Sequence, residues 1–267
     1  MQVRQLEEIV GIPLTELIGK KIFMTNAGSL VARHVRLVER QLISASEELD
    51  AVRGGQSGHM SIGIISTAKY FVPRLITHFR TARPDIEIHL SVSNRKTIIR
   101  QLDNNEIDLA IMGTPPSDFP TDAIGFADHP LYIVAGAEHP LSCCKKIKIS
   151  QLHHQTFILR EKGSGTRSVA ESFFDKHHIQ CGQILELDSN ETIKQALMAN
   201  WGLAFISTYS VALECRSGYL VRLPVSGMPI IRHWFVVTRK EKTLQPLGQA
   251  FREFLLQEAP GFLKAAS

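Results

Sequence analysis

Between residues 27 and 53, apolar side chains recur at alternating steps of four and three: Val31, Val35, Val38, Leu42, Ala45, Leu49 and Val52. That spacing draws one narrow apolar seam along a helix, the a/d pattern of a coiled coil. Charged residues, among them Arg33, Arg36, Glu39, Arg40, Glu47, Glu48 and Asp50, occupy much of the remaining surface. A seam this narrow fits pairing with a second helix better than burial in a globular core. Val31, Val35, Val38, Leu42, Ala45 and Leu49 are therefore the expected dimerisation contacts. Upstream, residues 1–10 read as the tail of a helix stopped by Gly11, and residues 12–25 as a short helix followed by a two-stranded wing. Thr25 or Asn26 is placed to cap the long helix. Downstream, Gly54-Gly55-Gln56-Ser57-Gly58 is a flexible break and the best domain boundary in the chain.

Past that break the pattern changes to alternating strands and helices. Strands are expected at 62–65, 86–92 and 109–112, with helices at 71–82 and 96–104 between them. The same order returns with strands at 157–159, 184–187 and 204–206 and helices at 167–177 and 191–199. Two successive β-α-β-α-β runs predict two α/β lobes with mainly parallel sheets. A last strand at 234–238 and an amphipathic helix at 247–256 close the chain.

Composition narrows the classes. With 44% hydrophobic and 21% charged residues the chain has the make-up of an ordinary soluble globular protein. No apolar run is long enough to span a bilayer, and no basic stretch leads into an apolar one as in a secretory leader, so a cytoplasmic location is expected. The formal net charge is +4, but residues 1–56 hold seven Lys/Arg against seven Asp/Glu. Only Lys20-Lys21 in the wing gives that segment a basic spot. The four cysteines form no C-x-x-C pair and read as free thiols of a reducing compartment.

Open α/β sheets bind ligands beyond the carboxyl ends of their strands, where helix N-termini point outward. The richest such loop is Arg160-Glu161-Lys162-Gly163-Ser164-Gly165-Thr166-Arg167, in which glycines, hydroxyls and cations surround a helix start. That is the make-up of a phosphate or carboxylate cradle, against the plainer reading of a surface turn with solvated charges. It lacks the Lys-Ser/Thr ending of a nucleotide P-loop, so ATP hydrolysis is not indicated. Across from it come Ser66-Thr67, where one hydroxyl is expected to cap a helix and the other to meet ligand, then Ser93-Asn94-Arg95 and Gly113-Thr114-Pro115-Pro116. Asn190-Glu191-Thr192 and Gly202-Leu203 complete the rim of the second lobe. The expected effector contacts are thus Ser66, Thr67, Ser93, Asn94, Gly113, Thr114, Arg160, Ser164, Gly165, Thr166, Arg167, Asn190 and Gly202. The eleven histidines fall in no catalytic or metal motif, so neither catalytic nor metal residues are assigned, no cofactor is expected, and the protein is expected not to be an enzyme.

The N-terminal residues Gln2, Leu6, Glu7, Gly11, Pro13, Leu14, Thr25, Ala27 and Gly28 match the second half of the winged helix-turn-helix of LysR-type transcriptional regulators, which the chain resembles over essentially its entire length. The resemblance implies DNA contacts at Gln2, Arg4, Gln5, Lys20 and Lys21, and a chain that begins inside the DNA-binding motif. It also implies a homodimer or homotetramer built on the long helix, and a two-lobed effector domain like that of periplasmic solute-binding proteins. The implied division is 1–26 for the partial winged helix-turn-helix, 27–53 for the linker helix, 58–136 with 239–267 for the first lobe, and 137–238 for the second. Ser66–Arg74, Ser91–Arg95 and Gly163–Arg167 are similar to the regulators of Calvin-cycle (RuBisCO operon) genes. For these the resemblance implies phosphorylated effectors such as ribulose bisphosphate, phosphoglycolate or NADPH. Peroxide-sensing members carry a reactive cysteine in the segment that here is Arg160–Arg167, which has none. Two rival readings remain: an effector-binding and oligomerisation module that does not bind DNA, and a solute-binding protein, which the heptad helix disfavours.

Overall fold

The computed structural model describes residues 2–52, 58–240 and 242–265. At the N-terminus α1 (Gln2–Val10) leads to a hairpin of β1 (Thr15–Ile18) and β2 (Lys21–Met24), and then to the 27-residue α2 (Asn26–Val52). A local polar knot holds these pieces. Glu7 Oε1 accepts from the backbone N–H groups of Leu14 and Thr15, at 2.8 and 2.9 Å, and from the Thr15 hydroxyl at 3.0 Å. Those two backbone N–H groups hold the Glu7 carboxyl below its ordinary pKa. Thr25 caps α2 by accepting from Gly28 N–H at 3.0 Å and donates its hydroxyl proton to Pro13 O at 2.9 Å. Gly28 is required sterically, since a Cβ there would stand 1.9 Å from Leu14 O. The short helix expected near residue 12 is not formed: only Ile12, Pro13 and Leu14 separate the Gly11 turn from β1, too few for a helical turn. Val35, Val38 and Leu42 on the seam of α2 are exposed, Val31 is half-buried, and the side chain of Leu49 lies outside the described residues.

The first lobe is built from β3 (Gly58–Ile65), α3 (Val72–Thr81), β4 (Ile86–Ser93), α4 (Arg95–Asp103) and β5 (Leu109–Met112). β3 runs parallel to both β4 and β5. Next comes β6 (Thr121–Gly136), sixteen residues long, which the polar run Asp128-His129-Pro130 hides from a search for hydrophobic alternation. The second lobe follows with β7 (Thr156–Leu159), α5 (Gly165–His177), β8 (Gln183–Glu186), α6 (Asn190–Met198), β9 (Ala204–Ser207), α7 (Ala212–Arg216) and β10 (Leu220–Arg222). The chain then returns along β11 (Ile230–Arg239) to α8 (Pro246–Gln257) and α9 (Ala259–Ala265).

β6 and β11 join the lobes. β11 pairs antiparallel with β5 and with β6 from Thr121 to Leu131, while the remaining end of β6 pairs antiparallel with β9 and β10. β7 runs parallel to β8 and meets the start of β9 through a parallel bridge between Phe157 and Leu203. The sheets are therefore mixed rather than mainly parallel, because the two strands that pass between lobes run against their neighbours on both sides. A register shift at Trp234/Phe235 interrupts the β11–β6 ladder where Trp234 enters the first-lobe core.

Each lobe has its own core. Met60, Ile62, Leu75, Phe79, Trp234 and Phe251 are among the fully buried side chains of the first, with the Phe79 and Phe251 rings edge to face at 5.0 Å. α8 and α9 close that core with Leu255 and Leu263. Phe157, Phe173, Phe174 and Phe205 fill the second. Burying a side chain of this size stabilises by roughly 1.5–3 kcal/mol, so each lobe holds its own shape while the two crossing strands carry the link between them. No helix of the described residues is long and apolar enough to cross a membrane.

Candidate effector cleft

Loops from both lobes converge on one polar cavity. From the first lobe come Ser66 and Thr67 at the end of β3, Asn94 before α4, and Gly113 and Thr114 after β5. From the second come Arg160 after β7 and Ser164, Gly165 and Thr166 at the start of α5. These nine sequence-predicted residues are brought together. Ser93, Arg167, Asn190 and Gly202 do not line the cavity. Ser93 offers its carbonyl to Ser66 N–H at 3.0 Å. Arg167 turns to the outside, donating to Glu171 at 2.6 Å and pairing with Glu186, and the bond to Glu171 raises its pKa. A second 3.0 Å bond runs from Arg167 Nη1 to the carbonyl of Arg160, so this cation props up the loop instead of facing the cleft. Gly202, at φ +153°, lets the backbone pass Thr156 O, from which a Cβ would stand 2.5 Å.

Arg160 is the centre of the arrangement. It is buried, and its guanidinium donates twice to Glu161, at 2.7 and 2.9 Å, and to Asn190 Oδ1 at 2.7 Å. Its Nη2 also reaches across the cleft to Ser66 Oγ at 3.2 Å. Asn190 thus acts from behind, orienting the arginine. Neither Ser66 nor Thr67 caps a helix with its side chain, nor does Ser164 at the start of α5. Asn94 does cap α4, accepting from Thr97 N–H at 2.9 Å. The N–H groups of the first turn of α5 face a site lined by hydroxyls, a favourable place for an anion.

Six lining residues lay outside the expected contacts: the apolar Ile65 and Met112, Glu161 of the glycine-rich loop, and Arg95, His129 and Arg232. Arg232 comes from the crossing strand β11 and ties both lobes. It donates to Gly113 O at 2.8 Å and Thr114 Oγ1 on one side, and to Gly165 O at 2.9 Å on the other. Burial, and then the charge of Arg95, lower its pKa. Neither arginine is paired with a carboxylate among the described residues, so two cations face each other across the mouth of the cleft. Arg95 was visible as a cation at a helix start, whereas nothing in the local pattern distinguishes Arg232 from any polar strand residue.

His129 is buried and stacked on Trp234, with ring centroids 4.0 Å apart and planes 16° from parallel. Neither ring nitrogen has a hydrogen-bond partner among the described residues. Burial, reinforced by the charge of Arg232, pushes its pKa down to about 3, so the imidazole is neutral and offers one donor and one acceptor. A second clasp lies at the rim. Tyr70 of the first lobe donates to Glu191 Oε1 at 2.7 Å, and Lys69 pairs with the same oxygen at 3.2 Å. Burial raises the Glu191 pKa, but the hydrogen bonds from Lys194 and Tyr70 outweigh it and bring it down to about 2.

The cavity volume is about 30 Å3, space for one or two waters. The lobes therefore stand closed on each other, latched by Arg160, Arg232 and the Tyr70–Glu191 clasp. Among the described residues no cluster of three His, Cys, Asp or Glu could hold a metal. The cysteines are free thiols, and burial raises the pKa of Cys181 and Cys215, which leaves neither activated. At the N-terminus Arg4 and Gln5 are exposed on α1, whose first residue is Gln2, and Lys20 and Lys21 are exposed at the β1–β2 turn.

Two α/β lobes hinged on crossing strands around an anion-friendly cleft, behind a helix–wing unit and a long helix, define a ligand-sensing regulator. The LysR substrate binding domain model matches residues 53–260, and the chain belongs to the LysR family of transcriptional regulators. It is 40% identical over 263 residues to the HTH-type transcriptional regulator CfxR of Cupriavidus necator, covering 98% of this chain and 83% of that protein. It is 38% identical over 259 residues to the RuBisCO operon transcriptional regulator of Allochromatium vinosum, covering 97% and 86% of the two chains. Among solved structures it is similar to the CcmR regulatory domain of Synechocystis PCC6803 in complex with 2-PG. That match has 36% identity and a TM-score of 0.71 over 76% of this chain and 99% of that one.

Proposed function

We propose that this regulator controls carbon-fixation genes in response to a small phosphorylated carboxylate of the 2-phosphoglycolate type, bound between its lobes. The observation that carries the reading is the pair of guanidiniums, Arg95 and Arg232, with no carboxylate partner among the described residues, beside the N-terminus of α5 and the buried Arg160. Such a site meets a dianion with cations and hydroxyls already in place. The similarity to a RuBisCO operon regulator and to a domain solved with 2-PG supports the same chemistry.

Binding requires the lobes to part at β6 and β11. The anion then takes over hydrogen bonds that Arg160 and Arg232 now give to Ser66, Gly113 and Gly165. A ligand that binds one lobe arrangement more tightly shifts the population toward it. Val31, Val35, Val38, Leu42, Ala45 and Leu49 pair α2 with a second copy, in a homodimer or homotetramer, and so pass the change to the DNA-reading unit. Arg4, Gln5, Lys20 and Lys21 meet DNA there. The protein works in the cytoplasm by binding, not catalysis, and its parts divide at 26/27, 53/58, 136/137 and 238/239.

A gel-shift titration with the promoter region of a carbon-fixation operon tests the reading. The expected result is a specific shift whose midpoint or mobility changes on adding 2-phosphoglycolate, and which weakens when Lys20 and Lys21 are both replaced by Ala. A shift indifferent to 2-phosphoglycolate would refute the effector assignment.

A further inference from the structure

Outside the latch formed by Arg232 lies a second, larger chamber of about 890 Å3, within the range of small-molecule sites and far roomier than the inner cavity. One wall is the face of α5 that carries Ser168, Val169, Ser172, Phe173 and Lys176, and another is the 226–230 turn. Its floor is apolar, made of Ile149, Val169, Phe173 and Ile230. Hydroxyls of Ser168, Ser172 and Ser226 edge that floor. The charged residues are one-sided: Arg95, Lys176 and Arg232 line the chamber, and no Asp or Glu of the described residues does. None of these three cations has a carboxylate partner among the described residues. The Phe173 ring lies against His177, with centroids 4.5 Å apart and planes 54° from parallel.

We propose that this chamber is a second ligand site, distinct from the interlobe cleft, that takes an amphipathic organic anion: a planar apolar body seated on Phe173, Val169 and Ile230, with its anionic group toward Lys176, Arg95 and Arg232. The inner cavity has no comparable apolar floor: Ile65 and Met112 are its only aliphatic lining residues among those described, and Glu161 shares its lining. A small dianion, conversely, gains nothing from the apolar floor. Burying a planar ring system there removes apolar surface from water on both partners, and the cations set its orientation. The two sites share a wall, since Arg95, Thr114, Gly165 and Arg232 line both. An anion drawing on Arg232 from outside competes with the carbonyls of Gly113 and Gly165 for the same guanidinium, so occupancy of the chamber acts on the latch of the cleft.

The test uses 8-anilino-1-naphthalenesulfonate, a fluorescent planar aromatic sulfonate, on the full chain with and without saturating 2-phosphoglycolate. Ser172→Trp fills the chamber from an exposed position of α5, and Lys176→Glu reverses a lining charge without touching either core. The expected result is saturable one-to-one binding that 2-phosphoglycolate weakens without abolishing, since both anions draw on Arg95 and Arg232, and that weakens at least tenfold in both variants, which keep their affinity for 2-phosphoglycolate. Absence of binding, equal binding in the variants, or one-for-one displacement by 2-phosphoglycolate would each overturn a separate chamber. Loss in Ser172→Trp alone would overturn its preference for anions. Because 2-phosphoglycolate affinity is measured alongside, failure here is distinguishable from failure of the cleft assignment.

Discussion

A buried histidine with two unpartnered nitrogens is an uncommon group, and His129 sits where an effector would meet it. Burial and the neighbouring Arg232 hold its pKa near about 3, against an ordinary value of 6.5. Between those values the unfolded chain binds a proton that the native chain does not. Stability conferred by the neutral ring is therefore complete above pH 6.5 and declines as pH falls toward 3, by about 1.4 kcal/mol for each pH unit. His129→Phe keeps the stack on Trp234 and removes the titration. In urea melts across pH 3–7, the variant is expected to show a shallower decline than the parent. Parallel profiles would mean that His129 does not stay neutral in the fold. This residue was illegible in the sequence, because His129 lies in a strand whose polar stretch broke the alternation. Arg160 and Thr166 were legible, since a glycine-rich strand-to-helix turn announces itself locally. Arg167, adjacent to them and of the right chemistry, points outward, because a helix turns each successive side chain by about 100° and Glu171 and Glu186 wait on the outer face.

Helices and hairpins were legible in proportion to how locally their signals act. The heptads of α2, its Thr25 cap and the Gly11 stop of α1 each depend on residues within a turn or two. β6, by contrast, exists through pairing with β9, β10 and β11, all of which follow it in sequence, and no local pattern records that. The N-terminal unit shows how motif residues become contacts. Glu7, Pro13, Leu14, Thr25 and Gly28, far apart in sequence terms, form one knot of hydrogen bonds and a close backbone approach. Gly28→Ala drives a methyl into Leu14 O, which only a backbone shift relieves. The cost is about 1–3 kcal/mol, confined to this unit. Limited proteolysis is expected to cut the β1–β2 region several-fold faster in the variant, with the melting of the two lobes unchanged. Equal cutting rates would show that the approach of α2 to Leu14 is looser than the structure has it.

At the scale of the whole molecule, two self-sufficient cores are joined by β6 and β11 and latched by a few polar contacts. The strands set the hinge, and the latch decides which way it rests. Arg232 contributes to both: it grows from the hinge strand and bonds each lobe. The two-lobed plan followed from the repeated alternation of strands and helices. The closed cleft did not, since it depends on contacts such as Tyr70 to Glu191 and Arg160 to Ser66, made between residues about a hundred positions apart. The central claim is that an anion binds between the lobes, against the start of α5. Gly165→Asp places a carboxylate there from within the chain: its Cβ would stand 3.1 Å from Arg232 Nη1, and an acid in the first turn suits the helix dipole. The direct measurement is calorimetric titration of 2-phosphoglycolate into the parent chain and into Gly165→Asp. The account predicts one-to-one binding to the parent, at least tenfold weaker binding to the variant, and no loss of thermal stability in it. Equal affinity in the two chains, or no binding to the parent, would contradict it.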